Sequence, residues 1–151
     1  VHGVFIGEVR DPELRKLASD QTLAGRVHFT GFRSNAPYLI GALDINVAPS
    51  RGREGLTKTV IEGMVQEVPA VVSEAGGLPE MVDQDQTGYI FPIDNLPYLV
   101  EILSKMIMER KRWPTLGANS LKKAHKEFAV TKTIEQTKNL YLSLLNKKNQ
   151  N

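Results

Sequence analysis

The chain has no cysteine, no long apolar run and almost no net charge. The absence of cysteine excludes a disulfide framework and is consistent with a reducing compartment. No apolar run approaches the ~18 residues that a membrane-spanning helix needs. The net charge of +2 is too small to indicate a nucleic-acid partner, so none is expected. With 41% hydrophobic residues, the 151-residue chain is expected to bury a sizeable core as one domain.

The charges are unevenly distributed along the chain. Residues 1–104 carry 8 Lys and Arg against 14 Asp and Glu, whereas residues 105–151 carry 11 against 3. Part of the basic segment combines lysines with apolar side chains, at Leu121, Lys122, Lys123, Lys126 and Phe128. One hypothesis is an amphipathic helix that contacts anionic lipid, and the alternative is a solvated helical face.

Short apolar segments alternate with helical periodicity in the first part of the chain. Apolar runs that end at glycine, proline or a polar residue predict strands over residues 4–7, 27–30, 45–48, 70–73 and 88–92, the first buried and the last at a sheet edge. Asp11 and Pro12 are typical of a helix start. Strands that alternate with helices indicate an α/β fold with a parallel sheet. From residue 95 onward the periodicity predicts only helices, one of them opening at Pro114.

The segment from Ser50 to Met64 reads as a loop with two glycines and then a helix, directly after a predicted strand. In parallel sheets, ligands bind beyond the carboxyl ends of the strands, where a helix start offers free amides to a phosphate. Glu54 and Glu62 would be roughly 12 Å apart along the helix axis, about the distance from a sugar to a ribose across a diphosphate. Carboxylates suit paired sugar hydroxyls. Alternatively, both acids are solvated surface residues.

This segment and its neighbours resemble one known family. The motifs are Phe29-Thr30-Gly31-Phe32, Ala48-Pro49-Ser50, the pair Glu54 and Glu62, the run from Val68 to Ser73, and Gly76-Gly77-Leu78-Pro79-Glu80. In this order they are similar to the donor-binding half of retaining glycosyltransferases of family 4. Such enzymes have a GT-B fold, in which two Rossmann-like domains face each other across a cleft. The resemblance implies a Rossmann-like parallel sheet with flanking helices over residues 1–94 and C-terminal helices over 95–151.

The resemblance also implies which part of an enzyme this chain represents. In the family, an acceptor-binding domain and a first βα unit precede the strand on which this chain opens. That unit carries an arginine and a lysine that contact the donor diphosphate, and nothing before Val4 can supply them. We therefore expect residues 1–151 to be a single donor-binding fragment, with the N-terminal acceptor domain as its partner. Alone, such a fragment should not catalyse transfer.

Two acids have the clearest roles by resemblance. Glu54 would be the catalytic residue that faces the transferred sugar, and Glu62 would hold the ribose hydroxyls of the nucleotide. Lys58 either adds charge at the phosphates or is a solvated surface lysine. The remaining implied positions are Gly55, Leu56, Thr57 and Lys58 at the diphosphate, Phe32 and Arg33 at the base, and Gly7 and Glu8 at the border of the pocket.

The resemblance further implies the type of reaction. A UDP- or GDP-sugar would be the donor, its sugar passing with retention to a glycan or lipid-linked acceptor, without a metal or another cofactor. Such an enzyme of cell-envelope polysaccharide biosynthesis is expected in the cytoplasm, with peripheral contact to the inner face of the membrane as a further hypothesis. Two alternatives stay open: a nucleotide-sugar-binding module without turnover, and a GT-B epimerase of nucleotide sugars.

Three further features need an interpretation. His2, His28 and His125 are scattered without ligand spacing, so no metal site is predicted. The Gly76-Gly77 pair is either a packing turn or a phosphate cradle. Glu67 lies before a Val-Pro step, where the family commonly has glycine, so we expect the preceding helix to end in a different way.

Overall fold

The computed structural model describes residues 1–52 and 54–148, which form two parallel sheets and the helices around them. The first sheet pairs two strands and the second pairs three, in the order β3-β4-β5. The strands are β1 (Gly3–Phe5), β2 (Val27–Phe29), β3 (Asn46–Ala48), β4 (Ala70–Ser73) and β5 (Gly88–Phe91). All pairings are parallel, with Gly3 opposite Val27, Asn46 opposite Ala70, and Ala70 opposite Gly88. The predicted parallel α/β architecture is confirmed.

Helices connect the strands and then continue alone to the end of the described chain. They are α1 (Pro12–Ala18), α2 (Ala36–Ile40), α3 (Lys58–Met64), α4 (Leu78–Met81), α5 (Leu96–Met108), α6 (Trp113–Glu127) and α7 (Val130–Lys148). As predicted, Asp11 caps α1, because its side chain accepts a hydrogen bond from the Glu13 amide at 2.9 Å. The amphipathic pattern after residue 95 accounts for α5 to α7.

The core lies on both faces of β4, whose residues alternate between the two faces. Ala70 and Val72 pack with side chains of α3, α4 and α6. Val71 faces the opposite side and packs with Tyr89 and Phe91 of β5 and with α5. Because β4 is paired on both edges and covered on both faces, this three-stranded sheet and the elements packed on it hold most of the buried apolar side chains.

The helix α3 ends in a turn whose type the sequence did not predict, although the lack of a glycine there indicated an unusual helix end. Glu67 has a φ of 61°, the left-handed conformation that a glycine usually supplies after a helix. The amide of Val68 donates to the Gly63 carbonyl at 2.9 Å, and the amide of Glu67 donates to the Met64 carbonyl at 3.2 Å. The helix therefore ends in a Schellman-like turn with glutamate at the left-handed position.

Several expectations about burial and helices were wrong. The first strand is exposed rather than buried, with Phe5 43% exposed, because among the described strands β1 pairs only with β2 in a two-stranded sheet. Lys123 is not part of a basic surface: its ammonium is buried 2.6 Å from Asp83, and Phe128 packs against the core. The short helix α4 was not predicted, since its four residues give too little periodicity.

Candidate functional site

The segment after β3 has the predicted strand–loop–helix form. The chain leaves β3 at Ala48, and α3 begins at Lys58 after Thr57, whose φ of −84° and ψ of 130° are those of an N-cap residue. Glu54 lies in the loop with its side chain exposed, and Glu62 lies on α3 with its side chain half-buried. The structure therefore places the two acids in the loop and on the helix, as expected, at the carboxyl end of the three-stranded sheet.

The loop that carries Glu54 is bonded to residues at the end of β4, in the turn after it and in the loop after β5. The Gly77 amide donates to the Glu54 carbonyl at 2.8 Å, so the Gly76–Gly77 pair forms a packing turn against this loop. The Ser73 hydroxyl, at the end of β4, donates to the Ser50 carbonyl at 2.6 Å. Arg51 pairs with Asp94 after β5 at 2.6 Å, although both side chains are largely exposed.

The helix α3 is attached to β3 by a buried polar contact. The Asn46 side-chain amide, with its residue only 8% exposed, donates to the Thr59 carbonyl at 2.8 Å. Gly63 allows the close approach, since an added Cβ would lie 2.8 Å from Asn46 Nδ2. The Gln66 side chain donates to the carbonyls of Glu62 and Pro37 and so joins α3 to α2. The backbone on which Glu62 sits is thus fixed from two sides.

A second group of predicted residues follows β1 and β2. Gly7 and Gly31 form an isolated bridge, with the Gly7 amide donating to the Gly31 carbonyl at 3.1 Å. This bridge brings the loops of Glu8 and Phe32 together. Phe32 is 77% exposed, and Arg33 is also exposed. A large exposed aromatic ring beside a cation is an available stacking surface.

A network of charged and polar residues with shifted pKa values lies away from these loops. Hydrogen bonds from Tyr89 and Arg112 hold the pKa of Asp85 at about 2, below its usual value. The same network raises the pKa of Tyr89, through burial and the Asp85 contact, and that of Lys105, through its contact with Tyr89. It joins β5 to α5 and to the 3₁₀ turn Arg110–Arg112. These pKa shifts therefore come from contacts that hold β5 against α5, and they do not mark the candidate site.

Two surface pockets lie away from these loops. A pocket of about 420 Å³ lies along α7, where it is lined by residues from Thr133 to Leu142. A pocket of about 370 Å³ includes Asp44 and Pro69, which precede β3 and β4, and is therefore at the amino ends of these strands. Within the described ranges, no set of three or more His, Cys, Asp or Glu is arranged to hold a metal ion.

The histidines are not all scattered as the sequence suggested. The parallel register of β1 and β2 brings His2 Nδ1 within 3.0 Å of His28 Nε2, with the rings stacked. Among residues that support the Glu54 loop, sequence reasoning missed Ser73 and Asp94. A polar residue that closes the apolar run of β4 was the available signal for Ser73, whereas nothing local marked Asp94.

Comparison with known proteins identifies the family. HepE of Anabaena, solved in complex with UDP, matches with a TM-score of 0.84 and 27% identity over 95% of this chain and 41% of HepE. A glycosyltransferase from Rickettsia africae shares the fold, with a TM-score of 0.86 at 16% identity over 95% of this chain and 40% of its own. The fold is thus the Rossmann-like fold of a GT-B glycosyltransferase domain. Among the helices that the structure describes, none is long and apolar enough to cross a membrane.

Sequence comparison gives the same result. The lipopolysaccharide core biosynthesis mannosyltransferase LpsB of Rhizobium meliloti (strain 1021) is 32% identical over 137 residues, which cover 89% of this chain and 39% of LpsB. The chain thus spans about two fifths of the length of LpsB and of HepE. The sequence model of the family described as "glycosyl transferases group 1" matches residues 1–109 of this chain. Because this match covers more than two thirds of the chain, the protein belongs to the glycosyl transferases group 1 family.

Proposed function

We propose that this chain is the donor-binding domain of a retaining glycosyltransferase that uses a nucleoside diphosphate sugar. The observation that carries the proposal is the β3–loop–α3 unit, which has an acid in its loop and another on its helix. This unit belongs to a chain that is 27% identical to HepE, a protein solved in complex with UDP and with UDP-glucose. Its position at the carboxyl ends of parallel strands is where α/β proteins bind nucleotides.

Each acid has a role that its exposure permits. Glu62 is half-buried on a helix whose backbone is held by Asn46 and Gln66, so a ribose would meet a carboxylate with little freedom to move. Glu54 is exposed and free to face the transferred sugar. The amides of Leu56, Thr57 and Lys58, together with the backbone at Gly55, would meet the diphosphate between them.

The chemistry requires stabilisation of the leaving group above all. The bond between the anomeric carbon and the phosphate oxygen breaks, while the acceptor oxygen forms a new bond to that carbon on the same face of the sugar and its proton passes to the departing diphosphate. Negative charge develops on the departing diphosphate, and hydrogen-bond donors that are already fixed there lower the barrier most. We expect the main-chain amides at the start of α3 to serve this role without a metal. Lys58 is exposed and is the first residue of α3, so its cation is available beside these amides.

The base would lie on the other group of loops. Phe32 offers an exposed ring for stacking, and Arg33 and Glu8 offer charged groups beside it. Gly7 and Gly31 hold the two loops in contact through their bridge. Both UDP- and GDP-sugars fit this arrangement, since stacking and main-chain contacts do not distinguish the bases strongly.

A larger protein is proposed as the functional unit. The chain covers 39% of LpsB and 41% of HepE, and β1–β2 and β3–β5 are two separate sheets. Both observations support a further βα unit and an acceptor-binding domain that complete the enzyme. The proposed place of action is the cytoplasm, at the inner face of a membrane if the acceptor is lipid-linked. Lys122 and Lys126 are exposed and available for contact with lipid, whereas Lys123 is not.

Calorimetric titration of the chain with UDP and with GDP tests donor binding and selects the base. Glu62→Gln should weaken binding of the preferred nucleotide by about 1–3 kcal/mol, the range for loss of a charged hydrogen-bond partner. Glu101→Gln, an exposed acid on α5, is the matched control and should leave the affinity unchanged. Equal affinities of the Glu62 variant and the parent protein would reject the ribose role.

The reaction itself is tested with the complete enzyme. Incubation with the preferred nucleotide sugar should release the nucleoside diphosphate only when an acceptor is present. A new nucleotide sugar in the absence of acceptor would indicate the epimerase instead. Tight binding without any product would indicate a binding module.

A further inference from the structure

The Gly76–Gly77 turn lies directly against the backbone of Glu54. A Cβ added to Gly76 would lie 1.8 Å from the Glu54 carbonyl oxygen and 2.8 Å from the Glu54 nitrogen. Gly76 also has a φ of 54°, in the left-handed region that other residues rarely adopt. The next amide, that of Gly77, donates to the same Glu54 carbonyl at 2.8 Å. Glycine at position 76 is therefore required both by the space and by the backbone conformation.

The two glycines of this turn are not equivalent. Gly77 has a φ of −86°, which any residue adopts, and its added Cβ would lie 3.3 Å from the Gly55 carbonyl group. A methyl group there needs an adjustment of only a few tenths of an ångström. A methyl group on Gly76 instead needs the Glu54 main chain to move by more than 1 Å, because carbon and oxygen atoms do not approach closer than about 3 Å.

The turn also shares its attachment with the end of β4. The Ser73 hydroxyl, in a residue only 1% exposed, donates to the Ser50 carbonyl, four residues before Glu54. The Glu54 loop is thus bonded to one rigid element at two carbonyls, those of Ser50 and Glu54. The Glu54 side chain itself is exposed, so its main chain, more than side-chain packing, determines where the carboxylate points.

We propose that the Gly76–Gly77 turn positions Glu54 for the transferred sugar without touching the substrate. Gly76 is a positioning residue: it permits the close backbone contact, and the Gly77 amide fixes the Glu54 carbonyl. This inference rests on the proposed function of Glu54. It adds that the catalytic geometry depends on the loop after β4 as well as on the loop after β3.

The kinetic test uses the complete enzyme with its nucleotide sugar. Gly76→Ala should lower kcat by about 100-fold, the loss expected when a reacting group moves by about 1 Å. The affinity for the nucleoside diphosphate without sugar should change by less than about threefold, because Glu62 is on another element. Gly77→Ala keeps the amide that donates to the Glu54 carbonyl and needs only a small adjustment at Gly55, so it should lower kcat by much less than Gly76→Ala.

A double-variant cycle separates positioning from a general structural effect. If Gly76 acts through Glu54, adding Gly76→Ala to Glu54→Gln should lower kcat by less than about threefold beyond the single Glu54 variant. Multiplicative losses in the double variant would overturn the proposal. Gly25→Ala is the control for backbone strain, because Gly25 has a φ of 72° but no atom within 4 Å of the added Cβ. It should leave kcat unchanged.

A readout without substrate keeps this test independent of the proposed function. Amide hydrogen exchange of the isolated chain should show the Gly77 amide protected, and Ser73→Ala, a milder change than Gly76→Ala, should reduce that protection while the chain stays folded. If the Gly77 amide exchanges as fast as an unbonded loop amide, the positioning contact does not exist in solution. If the amide is protected but no nucleotide sugar is used, the contact stands and the role of Glu54 is wrong.

Discussion

The two sheets of this domain differ in how firmly they hold the loops at their carboxyl ends. In the three-stranded sheet, Val71 and Val72 are completely buried between two layers of helices. In the two-stranded sheet, Val4 and Phe5 are 40% and 43% exposed. A strand with few buried contacts opens locally at a lower free energy than a core strand. The Glu54 loop therefore follows a strand of the well-packed sheet, whereas the Phe32 loop follows a strand of the sheet that opens at a lower free energy.

The difference has a functional consequence under the proposed activity. The groups at the reacting centre, Glu54 and the amides at the start of α3, need fixed positions because misplacement is costly in the transition state. The base only needs to be held, and a stacking contact such as that of Phe32 tolerates adjustment. Under this proposal, the groups with the more exacting chemistry lie on the better packed sheet.

The largest expected effect compares one phenylalanine from each sheet. Phe91 of β5 is 4% exposed, and Phe91→Ala should lower the free energy of unfolding by about 3–5 kcal/mol. Phe5→Ala, on half-exposed β1, should cost about half of that or less, because less apolar surface is lost. Urea denaturation followed by circular dichroism measures both. Equal losses would mean that β1–β2 contributes as much to stability as the three-stranded sheet.

A smaller effect separates two neighbouring lysines on α6. Lys123 is 9% exposed and pairs with Asp83 at 2.6 Å, so Lys123→Ala should cost about 1–3 kcal/mol through the lost charged hydrogen bond. Lys122 is exposed, and Lys122→Ala should change stability by less than about 0.5 kcal/mol. Thermal unfolding of the two variants checks this contrast. If the two variants lose the same stability, the ion pair between Lys123 and Asp83 does not contribute to holding α6 on the three-stranded sheet.

The sequence predicted those parts of the fold that depend on local patterns. The strand β4 was found at its observed residues, because three apolar residues follow Pro69 and a polar residue ends the run. The start of α1 was found because Asp11 and Pro12 have well-defined positions at helix starts. The exposure of β1 was not predicted, since an apolar run does not reveal how many strands pair with it.

The contacts that hold the candidate site and the core in place join segments that are distant in the sequence. The bond from Ser73 to Ser50 spans 23 residues, and the contact between Lys123 and Asp83 spans 40. No local pattern encodes either. The stacking of His2 on His28 likewise follows from the register of two strands. Sequence reasoning therefore located the acids Glu54 and Glu62 but not the contacts that fix their backbone.

Acid titration tests the network that joins β5 to α5. The pKa of Asp85 is held at about 2 by Tyr89 and Arg112, below its ordinary 3.8. A lowered folded-state pKa contributes stability that is present above about pH 4 and is lost as the pH falls toward 2. The melting temperature of the parent protein should therefore fall more steeply between pH 4 and 2 than that of Asp85→Asn. Parallel curves would show that the pKa of the Asp85 carboxyl is the same in the folded and the unfolded chain.

The smallest expected effect concerns the left-handed turn between α3 and β4. Glu67, with a φ of 61°, carries the steric cost that a side chain meets in this conformation. Glu67→Gly should therefore raise the free energy of unfolding by about 0.5–1 kcal/mol, the relief of strain exceeding the added entropy of the unfolded chain. Gly25 offers the opposite change in the β1–β2 half, because it has a φ of 72° and open space around it. Gly25→Ala should lower stability by a similar amount in the same urea titration. If Glu67→Gly destabilises the protein instead, the Glu67 side chain makes a favourable contact, and the surface pocket that it shares with Arg110 and Trp113 is the place to look for it.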